Sequence, residues 1–253
     1  AMRRAFADRA EHLGDPDFNT ELPIDHLTSK EYAKRLSASI NLEYASVSDS
    51  SRYGQLYDGT STTHFSVMDK EGNAVSMTYT LEHSFGSRRV AKGLGFILNN
   101  EMGDFNPVPG LTTNTGLIGS NPNLVAPEKR MLSSMTPTII AKNGKPYLII
   151  GSPGGRTIIN TVLQTVLNVI DQDMDIYKAI ETGKIHHQWL PDQLRIERWL
   201  TSPDTIRKLK SMGHDVVEVN NLGRLMGITY DKDKKVMTGA ADSSAGDGGV
   251  AGY

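Results

Sequence analysis

TTHFSVMDKEGNAVSMTYTL, residues 62–81, marks a sharp change in the character of this 253-residue chain. Thr63–Met68 and Ala74–Leu81 are predicted strands, and Asp69–Asn73 between them supplies the glycine-containing loop of a hairpin. Residues 41–61, which come before it, are rich in Ser, Tyr, Asp and Gly and have little periodicity. We therefore expect an exposed loop that is open to chain cleavage, followed by a β-rich region that begins at the threonine pair.

Composition excludes several classes of protein and of site. A hydrophobic content of 38% and a charged content of 22% are ordinary for a globular domain, and the length suffices for one core or two small ones. The net charge is −2 and no basic stripe is present, which argues against a nucleic-acid partner. No apolar run approaches the roughly 18 residues of a membrane span. The absence of cysteine excludes disulfides, thiol nucleophiles and cysteine-based zinc sites.

The order of helical and extended segments predicts an α+β fold with antiparallel sheets. Asn143-Gly144 is a strong turn signal inside a second hairpin. The predicted helix over Arg156–Asp171 is apolar on more than one face, so we expect it to be buried. The other predicted helices cover residues 1–12, Thr28 (as N-cap) to about Ile40, Ile176–Thr182 and Ser202–Met212, and the other predicted strands are Phe96–Leu98, Thr138–Ala141, Pro146–Gly151, Leu194–Glu197, Val216–Val219, Leu225–Tyr230 and Val236–Ala240. The long loop 104–129 is expected to be functional or disordered, and the tail 241–253 is expected to loop over a site or a partner.

Thr62 is a candidate nucleophile, although an ordinary strand residue is the alternative. An internal threonine hydroxyl is a poor nucleophile, so the chemistry requires the bond between Ser61 and Thr62 to break and free the α-amine. Such an amine titrates at about 7.7–8.0, which suits a general base at neutral pH. Threonine with its own amine as the base is a recognised nucleophile, typical of amide-cleaving enzymes.

A glycine-rich loop, Gly151-Ser152-Pro153-Gly154-Gly155, connects a predicted strand to the helix that starts near Arg156. Such turns present free backbone N–H groups that favour an anion. A phosphate-binding loop is a weak interpretation because its lysine is missing. An oxyanion hole formed by Gly154 and Gly155 is the second interpretation, and a helix N-terminus with packing glycines is the third.

Two further pairs are candidates for holding a charged substrate. Ser133-Ser134 could grip a carboxylate or simply form a turn, and Glu101 with Asp104 could hold an ammonium group or be solvated acids. His186-His187 lacks the spacing of a metal site, since neighbours on a strand point to opposite faces, and a structural role is favoured. His64 lies on the strand face of Thr62, where packing is favoured over a role at the site.

Taken in order, these motifs resemble the γ-glutamyltransferases (γ-glutamyltranspeptidases, glutathione hydrolases), a family of N-terminal nucleophile hydrolases. The resemblance covers essentially the whole chain and also includes Ala7–Arg9, Leu13–Phe18, Asp69–Val75, Thr78–Leu81, Leu98–Asn100, Leu132–Met135, His186–Pro191 and Ala251–Tyr253. It implies a four-layer αββα sandwich, of which this chain carries a part. It also implies that residues 1–61 are the C-terminal segment of a large subunit with the cleavage linker, and that residues 62–253 are the small catalytic subunit.

The resemblance implies a role for each candidate. Thr62 is the residue of self-cleavage and the nucleophile, and Thr80 bonds its hydroxyl or amine. Glu101 and Asp104 hold the substrate α-ammonium. Ser133 and Ser134 hold its α-carboxylate, and Gly154 and Gly155 form the oxyanion hole. The substrate is glutathione or another γ-glutamyl compound, the acceptor is water or an amino acid or peptide, and the other partner is the large subunit of the same precursor. No cofactor, metal or nucleic acid is expected, and the family implies a periplasmic or secreted location.

Three departures from the family bear on substrate choice. Glu82 stands where the family commonly has asparagine beside the amino-acid head, so it also belongs to the predicted substrate-binding residues. Thr115 stands where many bacterial members carry a tyrosine on a lid loop. The arginine that pairs with the substrate carboxylate in the family is expected to lie upstream of Ala1, in the part of the large subunit that this chain does not include. The alternatives are a related acylase, of the cephalosporin or poly-γ-glutamate type, and an unprocessed non-catalytic fragment.

Overall fold

The computed structural model describes residues 1–49, 62–246 and 248–252. Most of the predicted cleavage loop, including Ser61, lies outside the described residues. The helices are α1 (Met2–His12), α2 (Ile24–Leu27), α3 (Lys30–Ala38), α4 (Thr157–Ile170), α5 (Ile176–Glu181) and α6 (Pro203–Ser211). The strands are β1 (Thr62–Met68), β2 (Ala74–Thr80), β3 (Thr138–Lys142), β4 (Lys145–Gly151), β5 (Ile185–His186), β6 (Leu194–Glu197), β7 (Val216–Val219), β8 (Met226–Asp231) and β9 (Val236–Ala241). No helix in these ranges has the length and hydropathy needed to cross a membrane.

Strands β1 and β2 form the predicted hairpin. They pair in antiparallel register with Thr62 opposite Thr80 and Met68 opposite Ala74. Because side chains alternate along a strand, the even-numbered residues of both strands share the inner face. The register therefore brings the first residue of β1 and the last residue of β2 to the same end of the hairpin.

A four-stranded antiparallel sheet in the order β3-β4-β8-β9 carries the core. Its first turn has positive φ at Asn143 (54°) and at Gly144 (73°), as the Asn-Gly pair predicts. Helices α4 and α5 cover one face of this sheet, and the cluster between them excludes water. Its members are aliphatic and almost fully buried, namely Leu148, Ile150, Ile158, Val162, Val169, Ile176, Ala179, Ile180, Leu225 and Ala240.

The hairpin packs on the other face of the four-stranded sheet through polar contacts. Ser66 Oγ donates a hydrogen bond to the carbonyl of Met226 (3.3 Å), and Ser76 Oγ donates to that of Ile150 (3.0 Å). The order of layers is thus helix, sheet, hairpin. The outer face of the hairpin stays solvent-exposed in the described chain and is apolar, with Phe65, Val67, Val75, Met77 and Tyr79 each 42–53% exposed.

Two predictions about local structure were wrong at the ends of elements. Ser29, and not Thr28, caps α3, since Ser29 Oγ accepts the N–H of Tyr32 at 3.1 Å. Thr28 instead closes the short helix α2, and its hydroxyl donates to the carbonyl of Ile24. The predicted strand Phe96–Leu98 makes only an isolated bridge between Val90 and Ile97, so no ladder forms there.

Two predictions about layering were also wrong in part. The sheets are not all antiparallel, because β6 and β7 pair in parallel within the sheet β5-β6-β7, with α6 as the crossover. Helix α4 buries one side only in the described chain, and Leu163, Leu167 and Ile170 are 42–47% exposed. Apolar residues on several faces of a helix therefore do not suffice to predict its burial here.

Candidate active site

A small cleft of about 40 Å³ lies at the end of the hairpin. It brings together seven of the residues that the sequence singled out, namely Thr62, Thr80, Glu82, Glu101, Asp104, Ser134 and Gly155. Four further residues complete its wall, namely Gly103, Met135, Arg156 and Ile158. Two of the predicted residues, Ser133 and Gly154, adjoin the cleft in sequence without lining it. The side chains come from the hairpin, the turn at 101–104, the 134–135 loop and the start of α4.

Three carboxylates form the acidic part of the cleft: Glu82, Glu101 and Asp104. The backbone of Glu82 is left-handed (φ 70°), and its N–H donates to Thr80 Oγ1 at 2.9 Å. Asn100 Nδ2 donates to Glu82 Oε2 at 3.1 Å. The carboxylate lies directly against Gly103, since a Cβ there would lie 2.0 Å from Glu82 Oε1 and the side chain would have to shift. Glu82 is therefore held in place against its carboxylate neighbours.

Glu101 is an acid whose pKa is strongly raised by its surroundings. Its side chain is buried, it accepts a hydrogen bond from Thr80, and its Oε1 has no partner within the described residues. Burial, together with the charges of Asp104 and Glu82, raises the pKa of Glu101 to about 7. Burial also raises the pKa of Glu82. A buried acceptor without a donor beside two other acids favours a bound cation.

Ser134 and Arg156 line a different part of the cleft, and a second arginine, Arg9, lies behind Ser134. Arg9 Nη2 donates to Ser134 Oγ at 3.0 Å and to the carbonyl of Ser133 at 3.2 Å. Burial and the nearby charge of Arg156 lower the pKa of Arg9 to about 10, so the guanidinium group of Arg9 remains charged at neutral pH. Ser133 Oγ accepts the N–H of Met135 at 3.0 Å, which is the turn contact considered as the alternative for this pair.

The sequence prediction missed the two arginines. Arg9 belongs to the Ala7–Arg9 motif, but that motif does not indicate that the last turn of α1 lies beside the 133–134 loop. Arg156 follows the glycine loop directly, and its Nη1 donates to the carbonyl of Gly116 at 3.3 Å. Thr115, next to Gly116, does not line the cleft and contacts Thr113, with 3.1 Å between the hydroxyl oxygens.

The glycine loop runs from the end of β4 into α4. Gly154 (φ 140°) and Gly155 (φ 57°) adopt backbone conformations that other residues rarely reach. Neither of their N–H groups donates to an acceptor in the described part of the chain. Gly155 lines the cleft beside Thr62. The loop can therefore offer backbone donors to an anion that forms next to the threonine hydroxyl.

His64, His186 and His187 are buried and take part in packing. His64 is buried between the hairpin and the sheet, with Nδ1 2.8 Å from Thr78 Oγ1, and burial lowers its pKa to about 4. His186 Nδ1 lies 2.8 Å from Asn160 Nδ2, and His187 Nε2 lies 3.0 Å from Asp192 Oδ1. These contacts agree with the structural roles that the sequence favoured for all three residues.

Comparison with known sequences now identifies the family. The family model described as Gamma-glutamyltranspeptidase matches residues 1–253. The chain belongs to the gamma-glutamyltranspeptidase family. Among curated relatives, the glutathione hydrolase proenzyme of Escherichia coli K12 is 46% identical over 255 residues, a match that covers all of this chain and 43% of that protein. The chain thus spans less than half the length of this member of the gamma-glutamyltranspeptidase family.

Solved structures support the same fold. A mutant of Helicobacter pylori gamma-glutamyltranspeptidase is 46% identical, with a TM-score of 0.68 over 72% of this chain and 99% of that chain. A cephalosporin acylase from Bacillus halodurans has a TM-score of 0.77 over 96% of this chain and 42% of that chain, at 23% identity. The second likeness bears on the fold alone. The predicted α+β fold is confirmed, and the chain carries part of an N-terminal nucleophile hydrolase sandwich.

Proposed function

We propose that the complete protein is a γ-glutamyltransferase and glutathione hydrolase whose nucleophile is Thr62. The observation that carries this proposal is the pair of charged environments around Thr62: three carboxylates line one part of the cleft, and Ser134 and Arg156 line another, where Arg9 donates a hydrogen bond to Ser134. An amino-acid head carries an ammonium and a carboxylate, and it needs this pair of environments. The name of the E. coli relative, a glutathione hydrolase proenzyme, agrees with this substrate class.

The amino-acid head of the donor is held at two points in this proposal. Glu101 and Asp104, with Glu82 as a third acid, receive the α-ammonium, and the unpartnered Oε1 of Glu101 gains a donor. Ser133 and Ser134 receive the α-carboxylate, and Arg9 and Arg156 supply positive charge nearby. The γ-carbonyl then reaches the hydroxyl of Thr62, the first residue of β1.

Acyl transfer proceeds in two steps. Thr62 Oγ attacks the γ-carbonyl carbon, and the α-amine of Thr62 takes the hydroxyl proton. The oxyanion is stabilised by the N–H groups of Gly154 and Gly155, and Thr80 holds the nucleophile in place. The C–N bond breaks, and the departing amine receives the proton from the α-ammonium. Water or an acceptor amine then attacks the γ-glutamyl ester and regenerates Thr62.

This mechanism requires the Ser61–Thr62 bond to be cut, so we propose that residues 1–61 end a large subunit and that residues 62–253 form the small one. The match to 99% of the H. pylori chain over only 72% of this one agrees with a boundary inside the chain. Thr62 is the first residue of β1 and pairs with Thr80, so its α-amine lies at the start of the strand.

The first experiment measures the intact mass of the purified precursor during incubation. The wild type is expected to split between Ser61 and Thr62, whereas Thr62→Ala stays whole. Thr63→Ala is the matched control, because Thr63 is the adjacent threonine on the outer face of the hairpin, and it is expected to split like the wild type. An uncut wild type would contradict the proposal and favour a non-catalytic fragment.

A substrate comparison then separates the proposal from an acylase. A γ-glutamyl anilide has an ammonium for the carboxylate cluster, and a glutaryl anilide lacks it. We expect the ratio of kcat/KM to favour the γ-glutamyl compound by at least about 100-fold, because a buried acid left unpaired is costly. A preference for the glutaryl compound would instead indicate a related acylase.

A further inference from the structure

The hydroxyl groups of two buried residues, Ser152 and Thr157, donate hydrogen bonds to backbone carbonyls of the glycine loop. Ser152 Oγ donates to the carbonyl of Pro153 at 2.6 Å. Thr157 Oγ1 donates to the carbonyl of Gly154 at 2.8 Å, and the Thr157 N–H reaches the same oxygen at 3.2 Å. The two side chains are 0% and 5% exposed, so water does not compete for either contact.

The geometry of a peptide bond transmits these contacts to the N–H groups of the loop. In a trans peptide, the carbonyl of one residue and the N–H of the next lie in one plane and point in opposite directions. The only cis bond of the described chain is Leu190–Pro191, so the bonds after Pro153 and Gly154 are trans. Holding the Pro153 carbonyl thus orients the Gly154 N–H, and holding the Gly154 carbonyl orients the Gly155 N–H.

The loop needs such restraints because its backbone supplies little rigidity. Two consecutive glycines have access to more conformations than any other pair of residues, and each conformation aims the N–H groups differently. Stabilisation of an oxyanion depends on donors that are aimed before the charge forms. Each of the two N–H groups has its own hydroxyl restraint, which makes a purely packing role for both hydroxyls a poor explanation.

A second loop fixes the serine in turn. The Arg224 N–H donates to Ser152 Oγ at 2.8 Å, so the oxygen accepts from residue 224 and its proton remains for Pro153. Gly223 packs against the same group, since a Cβ there would lie 2.7 Å from Ser152 Oγ and 3.2 Å from the Pro153 carbonyl oxygen. The orientation of the serine hydroxyl is therefore defined on both sides.

We propose that Ser152 and Thr157 are positioning residues that aim the Gly154 and Gly155 N–H groups at the oxyanion, an inference that rests on the proposed function. Neither Ser152 nor Thr157 lines the cleft. Donors that act on the transition state affect kcat, whereas binding of the ground state through the carboxylates and arginines is unaffected. Loss of either hydroxyl is expected to lower kcat and to leave KM nearly unchanged.

The test compares Ser152→Ala and Thr157→Val in the complete precursor with Thr165→Val as the matched control. Thr165 is also a buried threonine of α4, but its hydroxyl donates to the Thr161 carbonyl within the helix. Rates are expressed per mole of cleaved enzyme. We expect kcat to fall about 10- to 100-fold in the two test variants, less than for the removal of a donor outright, with KM within about 2-fold. Thr165→Val and the conservative Thr157→Ser keep kcat near the wild-type value.

A second measurement does not depend on cleavage or turnover. Amide hydrogen exchange of the segment that contains residues 153–156 is followed in the uncut Thr62→Ala precursor, with and without each substitution. Exchange is expected to be faster with Ser152→Ala and Thr157→Val and unchanged with Thr165→Val. This arm also reports on any variant that fails to mature.

The outcomes separate the two proposals. Equal kcat values for Thr157→Val and Thr165→Val, or a rise in KM alone, would overturn the positioning roles while the proposed function stands. A wild type without γ-glutamyl activity would overturn the proposed function, and the exchange arm would then decide whether the hydroxyls order the loop. Unchanged exchange in both test variants would overturn the inference in either case.

Discussion

Glu101 concentrates the electrostatics of the cleft in one side chain. It is buried, its Oε1 lacks a donor, and Asp104 and Glu82 add their charges nearby. These causes raise its pKa to about 7, so the carboxyl is partly protonated near neutral pH. In the proposed function, a substrate ammonium and a proton therefore compete for this carboxylate. The sequence singled out Glu101 and Asp104 as candidates, but the pKa shift depends on burial and on a third acid, Glu82, which only the folded chain brings together.

The pH dependence of substrate binding tests this coupling. As the pH falls below about 7, Glu101 becomes neutral and the donor ammonium loses a charged partner, so KM for a γ-glutamyl substrate is expected to rise. Glu101→Gln is expected to have a higher KM that changes little between about pH 5.5 and 8, because the titrating carboxyl group is absent. Glu71→Gln, an exposed acid of the hairpin turn, is the control with a wild-type profile. Parallel KM profiles for wild type and Glu101→Gln would contradict the role of Glu101.

At the scale of the element, turn chemistry predicted hairpins well. Asn143-Gly144 yields the expected pair of positive φ angles, and Ser202 with Pro203 begins α6 as its cap and first residue. The predicted strand at Phe96–Leu98 did not form, because a short apolar run becomes a strand only where a partner strand is available. Strand propensity is local, whereas pairing is decided by distant residues.

The β3–β4 turn offers a test of local strain. Gly144 has φ 73° and open space where a Cβ would go, so Gly144→Ala adds backbone strain without a clash. We expect the free energy of unfolding to fall by about 1–2 kcal/mol in chemical denaturation. Gly249→Ala is the matched control, because that glycine also faces open space and lacks a positive φ, and it should change by less than about 0.5 kcal/mol. Equal losses in the two variants would show that the positive φ at residue 144 does not penalise alanine.

At the scale of the whole molecule, a buried charge cluster joins the two larger sheets. Lys184 Nζ lies 3.4 Å from Glu197 Oε2 and 3.1 Å from Asp242 Oδ2. Glu197 is on β6 of the three-stranded sheet, and Asp242 directly follows β9 of the four-stranded sheet. Glu197 Oε1 also accepts the N–H of Leu222 at 2.7 Å, in the loop that backs Ser152. One lysine thus bridges two carboxylates that belong to different sheets.

Removing that lysine tests how much the sheets depend on it. Lys184→Met leaves two carboxylates buried without a cation, so we expect the free energy of unfolding to fall by about 3–5 kcal/mol. Lys178→Met is the control, since the Lys178 pair with Asp175 has 3.0 Å between the charged atoms but is exposed, and its loss should cost at most about 1 kcal/mol. The measurement is denaturant unfolding of both variants. Similar losses would mean that the cluster does not hold the sheets together.

The layered fold also leaves a surface that the described chain does not cover. The outer face of the hairpin and one side of α4 are apolar and exposed, which agrees with a chain that carries part of a four-layer sandwich. The sequence predicted that this chain carries part of a sandwich, but not which surface stays uncovered, because the choice of inner and outer face follows from the stacking of the sheets.

The sequence by itself determined the local elements and the candidate residues of the site. Turn residues, caps and periodicity act between neighbours in the chain, so the hairpins at 62–80 and 138–151 and the helix α4 were predictable from the residues that form them. Ordered motifs pointed to Thr62, Glu101, Asp104, Ser134 and Gly155, which one cleft now brings together.

Only the tertiary structure decided how those residues act. The space for Glu82 depends on Gly103, and the charge beside Ser134 depends on Arg9 from the first helix. The aim of the glycine N–H groups depends on Ser152, which the 222–224 loop holds. Such contacts join residues that are far apart in the chain, so they leave no pattern at a fixed spacing. Burial, pKa shifts and the orientation of donors arise from these contacts and therefore appear only when the chain is folded.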